Sequence, residues 1–126
     1  MRDLYSDIKV VPALAPAVLA ANANGVAIDL LGNQRVAFAV NTGAIEAAGA
    51  FGVKLQESDT GTSGWADVAA DQVQNNAPAV LAAASAYRLG YLGWKRFIRL
   101  VLTKTGGTSL AAGAVAILSP DERPVP

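Results

Sequence analysis

An all-β fold, an antiparallel β-sandwich of jelly-roll or immunoglobulin-like type, is what this sequence predicts, on three observations. Short segments alternate apolar and polar residues with period two, the pattern of strands that keep one face in a core. Clusters of glycine, asparagine and threonine separate those segments as turns do. No 3.6-residue apolar repeat of helical length lies between them, which argues against βαβ units. At 126 residues the chain suffices for one core and is too short for two ordinary domains.

Residues 1–24 read as an extended N-terminal arm. Leu4, Tyr5, Ile8, Val10 and Val11 are its apolar handles, and Pro12 and Pro16 favour an open backbone that cannot coil into a helix. That apolar content is high for a disordered terminus, so the arm is expected to dock on a neighbouring subunit or on a shell. The run VVPALAPAVLAANA has the flavour of a secretory signal. The preceding MRDLYSDIK, however, balances two acids against two bases, and the prolines interrupt the helix that a signal core forms. Interrupted in this way, the run is also too short to span a bilayer, so no membrane partner is expected.

Residues 25–119 read as the sandwich domain. Val26, Ile28 and Leu30 alternate with Ala27, Asp29 and Leu31, and Gly32-Asn33 supplies a turn. In RVAFAVNT, Val36, Phe38 and Val40 share one face, with Ala37 and Ala39 on the other, and the two segments are expected to pair as a hairpin. AIEAAGAFG, residues 44–52, mixes helix-favouring alanine with interrupting glycine and reads as a loop with at most one helical turn. Phe51, Val53, Leu55 and Glu57 alternate with Lys54 and Gln56 in a half-buried strand.

WADVAADQVQNN reads as a strand edge or a short helix, with Trp65 and Val68 packed on one side. SAYRLGYLG places Tyr87, Leu89 and Tyr91 against Arg88, Gly90 and Leu92. KRFIRLVLTK carries the clearest alternation, Ile98, Leu100 and Leu102 one way and Phe97, Arg99, Val101 and Thr103 the other. A last strand runs from Ala112 to Leu118, and residues 120–126 form a proline-rich polar tail. About six or seven short strands in this order suit a sandwich.

Composition narrows the chemistry. Ten basic and ten acidic side chains cancel, leaving no net field to gather nucleic acid. Cysteine and histidine are both absent, which removes disulfides, thiolate nucleophiles, imidazole bases and nearly all ordinary transition-metal sites. Absence of cysteine also suits synthesis in a reducing cytoplasm. Charged residues make up only 16% of the chain, so much of the surface is small and neutral, as suits assembly.

VKLQESDTGTSGWADV sets Glu57 and Asp59 before hydroxyls and glycines, with Asp67 and then Asp71 further on, but not at the spacing of a calcium loop. Asp-Thr-Gly and Ser-Gly are instead what a tight connection uses. No pair of carboxylates stands out for glycoside hydrolysis, and no Walker A loop or dinucleotide fingerprint occurs. No catalytic residue, cofactor or metal is expected. YRLGYLGWKRFIRL interleaves aromatics with arginines, and Tyr87, Tyr91 and Trp94 offer a surface on which sugars or bases could stack. Tyr91 and Trp94 are the candidates for exposed aromatic contact.

VKLQESDTGTSGWADV and YLGWKRFIRLVLTKTGGT, together with NGVAIDLLGNQRVAFAVNTG, resemble a family of small virion proteins of tailed bacteriophages and gene-transfer particles. In that family a KLQESDDGTSFTDV-like hairpin precedes a GNKRYVRV-like strand. The likeness spans most of residues 25–118; this chain departs in Trp94, where the family has asparagine, and in Gly64-Trp65 at the hairpin end. The resemblance implies a head-associated structural protein made in the host cytoplasm and carried on the capsid exterior. It would be a capsid decoration, cement or head-spike-base subunit, forming homo-oligomers on three-fold or five-fold sites and contacting the major capsid protein. Under this reading the arm residues Leu4, Tyr5, Ile8, Val10 and Val11 make the oligomer or capsid contacts. The alternatives are a glycan-binding module displayed on the virion, with host-surface glycan as its partner, and a tail structural protein.

Overall fold

The computed structural model describes residues 3–120. Ten strands follow one another: β1 (Lys9–Leu19), β2 (Ala23–Asn24), β3 (Ile28–Asp29), β4 (Asn33–Glu46), β5 (Ala50–Ser58), β6 (Ala66–Asp67), β7 (Val73–Asn75), β8 (Ala86–Tyr91), β9 (Phe97–Gly106) and β10 (Ser109–Pro120). They form two antiparallel sheets. The first has the order β1-β10-β4-β8-β7; the second has β2-β9-β5-β6, with β3 also on β9. The expected all-β sandwich is therefore the architecture.

The core lies between the sheets and consists of the inward row of each strand. Val36, Phe38 and Val40 of β4 and Leu89 of β8 meet Phe51 and Leu55 of β5 and Ile98, Leu100 and Leu102 of β9. The faces anticipated for β4, β8 and β9 are the observed ones, because a strand with one buried side has its register set by the core. Leu81 also reaches this core from the connection between β7 and β8. Its amide bonds the carbonyl of Phe51 at 2.9 Å. The connection is anchored where the buried Thr42 hydroxyl donates to the Ala82 carbonyl at 2.6 Å and accepts from the Ser85 amide at 2.9 Å.

Three expectations are corrected. Val26–Leu30 does not form a hairpin with β4: β3 pairs with β9, while β4 lies between β10 and β8. Gly32, at φ +81°, turns the chain from one sheet into the other, so this turn bridges layers. Residues 44–52 are not a loop but the end of β4, a tight reversal at Ala47 and Ala48, and the start of β5. Alanine in sheet is neutral enough for tertiary pairing to override its helical preference.

The third correction concerns residues 1–24. From Lys9 this segment is β1, laid along β10 from Lys9 opposite Leu118 to Leu19 opposite Leu110. Ala13 and Leu14 are buried, and Val11, Leu19 and Ala23 pack against the core. Prolines are tolerated because β1 is the sheet edge, and the register shifts between Pro12 and Leu14 and between Leu14 and Ala17 absorb them. The segment is thus part of its own sandwich. Of the tail, Pro120 closes β10; residues 121–126 lie outside the described residues.

Candidate functional site

The acidic stretch that follows β5 is a built turn. Ser58 is buried; its hydroxyl accepts the amides of Thr60 and Gly61 at 3.2 Å each and donates to the Ser63 carbonyl. Gly61 and Gly64 take positive φ, as expected of such a connection. Each acid of the stretch has its own partner. Asp59 pairs with Lys95 at 3.0 Å, and Asp67 pairs with Lys54 at 3.1 Å and accepts from the Gln56 amide at 3.0 Å. These last two bonds hold the Asp67 carboxyl below its ordinary range, the Gln56 bond counting most.

Glu57 points inward and meets Tyr91 from the opposite sheet, whose hydroxyl donates to Oε1 at 2.6 Å and accepts the Lys95 amide at 3.0 Å. Tyr91 is 8% exposed, so it is not available as a contact for sugars or bases. It ties the two sheets together at one end of the sandwich. Burial, reinforced by the carboxylate acceptor, pushes its phenol up to about 12. A folded-state value above the unfolded one of about 10 means that the contribution is complete below pH 10 and is lost as pH rises from about 10 to about 12. Tyr91→Phe should therefore flatten the fall of Tm across that window and remove the late step in tyrosinate absorbance. An unchanged absorbance titration would exclude the buried phenol.

The outward faces of the two sheets differ in chemistry. On the second sheet, Arg99 donates to Gln56 Oε1 at 2.7 Å and lies 4.4 Å from the centre of the Trp65 ring, beside the Lys54–Asp67 pair. That face is a self-satisfied polar surface of the kind that meets water. On the first sheet the outward positions are Val10 and Pro12 of β1, Ala111, Gly113, Val115 and Ile117 of β10, and Ala37, Ala39, Asn41 and Gly43 of β4. Of these, Pro12, Ala39, Asn41, Gly43, Ala111, Gly113 and Val115 line a shallow, largely apolar trough of about 710 Å³, open to solvent. Arg35 and Arg88 bring charge to the same face, and beyond β4 it turns polar, with Gln74 and Asn76 beside Arg88.

This face runs into an apolar pole at the end of the sandwich where β4 begins and β10 ends. Leu31 (71% exposed) sits in the turn before β4, and Leu92 and Trp94 (76%) sit in the loop after β8. The two loops are joined by the Leu30 amide bonded to the Arg96 carbonyl at 2.8 Å and by a two-pronged Arg96–Asp29 ion pair at 2.9 Å. That pair holds Asp29 down to about 2, with the Arg96 bonds as the main cause. The 3-10 turn Tyr5–Asp7 precedes β1, whose first residue lies opposite Leu118, so Leu4 and Tyr5 (85%) occupy the same end.

The structure therefore separates the expected contact residues. Leu4, Tyr5 and Trp94 lie at the same end of the sandwich, and Val10 lies on the adjoining face; Ile8 is half-buried, and Val11 turns inward against the core. Tyr87 is half-buried, its hydroxyl accepting the Ala82 amide at 3.0 Å. No platform of Tyr87, Tyr91 and Trp94 exists. Trp94 alone is open, with the Lys95 ammonium 4.5 Å from its ring centre. Leu31 and Leu92 escaped sequence reading because each fits the alternation of its own segment; the exposed position of Leu31 directly before Gly32 was the one available signal.

No family model matches the chain, and no curated protein matches it in sequence. Among solved structures its fold is similar to that of the SPBc2 prophage-derived protein YomS, with a TM-score of 0.55 over 89% of this chain and 92% of that one, at 7% sequence identity. The fold of this chain is thus one that a prophage-derived protein also adopts.

Proposed function

We propose that this protein is a non-enzymatic structural component of a phage particle that decorates or cements the capsid exterior, with the apolar pole as the surface that meets its neighbours. The observation that carries this reading is the convergence of Leu4, Tyr5, Leu31, Leu92 and Trp94 on one end of the sandwich. Large side chains exposed together disfavour a free monomer, and covering them is worth about 25 cal/mol per Å² before ordering costs. The likeness to a prophage-derived fold supports a phage setting, and the major capsid protein is the partner that setting offers. In this reading, glycan contact would fall to Trp94 alone.

The test is made in the strain that carries the gene. Particles are purified, and the protein is quantified in them by mass spectrometry, for the natural chain and for Leu31→Asp/Trp94→Ala. The natural chain should be found in particles, and the variant should fall by about tenfold or more while its Tm stays close to that of the natural protein. Absence of the natural chain from particles overturns the virion reading. Equal incorporation of the variant removes the contact from the pole.

A further inference from the structure

The polar half of the outward β1-β10-β4-β8-β7 face holds two adjoining cavities of about 430 and 310 Å³. They share Ala37, Gln74 and Gly90 and so form one groove, with Arg88 towards one end and Arg35 towards the other. We propose that this groove binds an extended acidic peptide segment of a partner protein, with carboxylates four residues apart. The inference does not depend on the virion reading.

Charge supports an anionic occupant. On the outward face of the other sheet, Lys54 and Arg99 have partners in Asp67 and Gln56. Here the Arg88 guanidinium has no hydrogen bond or ion pair among the described residues, and Arg35 has the Ser119 hydroxyl at 3.4 Å. Of the five strands of this sheet, only β4 carries an acid, Glu46 at its far end. Asp71, in the turn before β7, pairs with neither arginine.

The neutral groups add donors. Asn76 Oδ1 accepts the Arg88 amide at 2.8 Å, which leaves Asn76 Nδ2 to donate outward. The Gln74 side chain lies over Gly90, with no hydrogen bond among the described residues to hold it there, so it can turn aside for a ligand. An occupant of this groove must therefore supply acceptors, and carboxylates match the guanidinium fork with two N–H bonds each.

Spacing supports a peptide. Arg35, Ala37 and Ala39 stand in one outward row of β4, with Gly90 beside Ala37 and Arg88 beside Ala39. The two arginines are thus four residues apart along the strand direction, ~14 Å at roughly 3.4 Å per residue. An extended peptide has the same two-residue period, so its residues i and i+4 meet the guanidiniums while residue i+2 lies over Ala37 and Gly90. Those two positions have one methyl and no side chain, which leaves room for a small apolar residue beside Ile117. Tyr91, the aromatic residue that borders the groove, turns inward to Glu57, so no stacking platform for a sugar is offered.

The experiment follows the backbone amides of the isotope-labelled full chain by NMR as blocked peptides are added. Glu-Gly-Val-Gly-Glu should bind saturably, with a Kd of ~1 mM or tighter, and shift the amides of Ala37, Arg88 and Gly90. Gln-Gly-Val-Gly-Gln should bind at least ~10-fold more weakly, and Glu-Glu-Gly-Val-Gly, with its acids adjacent, ~3-fold more weakly. Arg35→Gln and Arg88→Gln are exposed changes that should leave Tm in place and weaken binding ~3-fold to 5-fold each. Lys54→Gln, on the other outward face, should bind as the natural chain does. The proposal is overturned by no saturable shift up to ~10 mM peptide, or by equal binding of the glutamine peptide, of the peptide with adjacent acids or of Arg88→Gln. Tighter binding of a glucuronic acid tetrasaccharide at the same residues would overturn it in favour of a glycan. None of these results bears on particle incorporation, which is tested separately.

Discussion

A chain that begins at Gly25 is expected not to fold. Removing residues 1–24 deletes β1 and β2, and with them the buried Ala13 and Leu14 and the packed Val11, Leu19 and Ala23. Each large apolar side chain of that set contributes about 1.5–3 kcal/mol when fully buried, so the loss is comparable to the whole stability of a domain, about 5–15 kcal/mol. The truncation also strips β10 of its partner along Lys9–Leu19. Ala111, Ala112, Gly113, Ala114, Val115, Ala116 and Ile117 would then form an open, uncharged strand edge, which is an aggregation template. Circular dichroism and thermal melting of the truncated chain should show no cooperative transition, and the protein should be found in aggregates. A soluble chain with a sharp melt would mean that β1 is an accessory to the sandwich and not a part of it.

Gly25→Ala in the intact chain should be a strongly damaging methyl addition. Gly25 lies where the open edges of the two sheets come together: its amide bonds the Leu100 carbonyl at 2.6 Å, and the next amide, of Val26, bonds the Ala13 carbonyl at 2.7 Å. A Cβ at this position would stand 2.5 Å from the Ala13 oxygen and 2.6 Å from the Leu100 oxygen. Both contacts are backbone, so neither can swing aside as a side chain would. Relief requires parting β1 from β9, at about 3 kcal/mol, or roughly 10–15 °C in Tm. Thermal melts of the two proteins measure this. A Tm within about 2 °C of the natural chain would show that the corner yields and that the sheets are not held together there.

Particular residues show what could be read beforehand. In Phe97–Gly106, aliphatic residues at every second position placed Ile98, Leu100 and Leu102 in a core before any neighbour was known, and all three are fully buried. The same alternation gave no information about which strands lie beside β9. The nearest segment with a turn between, Val26–Leu30 and β4, looked like a hairpin, yet Gly32 carries the chain across to the other sheet. Leu81 was hidden in an alanine-rich stretch with no period of its own, and it became a core residue through the bonds that Thr42 makes to its loop.

The candidate site was less legible than the fold. Tyr91 and Trp94 stand three residues apart in an aromatic, basic segment, and nothing in their identities distinguishes the one that is sealed against Glu57 from the one left open. Leu4 and Tyr5 are exposed, but the pole they share with Leu31, Leu92 and Trp94 exists only because β1 runs antiparallel to β10 and brings both loops to the same end.

By itself, the sequence determined that this chain is an all-β sandwich and which face of β4, β8 and β9 is buried. Those properties follow from the two-residue period of a strand, which is local. The tertiary structure alone decided that the proline-bearing N-terminal segment is an edge strand of its own sheet. It also decided that the β1, β10 and β4 part of one outward sheet face is apolar while the other sheet's face is satisfied, and that five scattered hydrophobic residues lie at one pole. These depend on which strands become neighbours, and that choice is made by the burial and backbone pairing of segments far apart in the chain, for which alternation carries no signal.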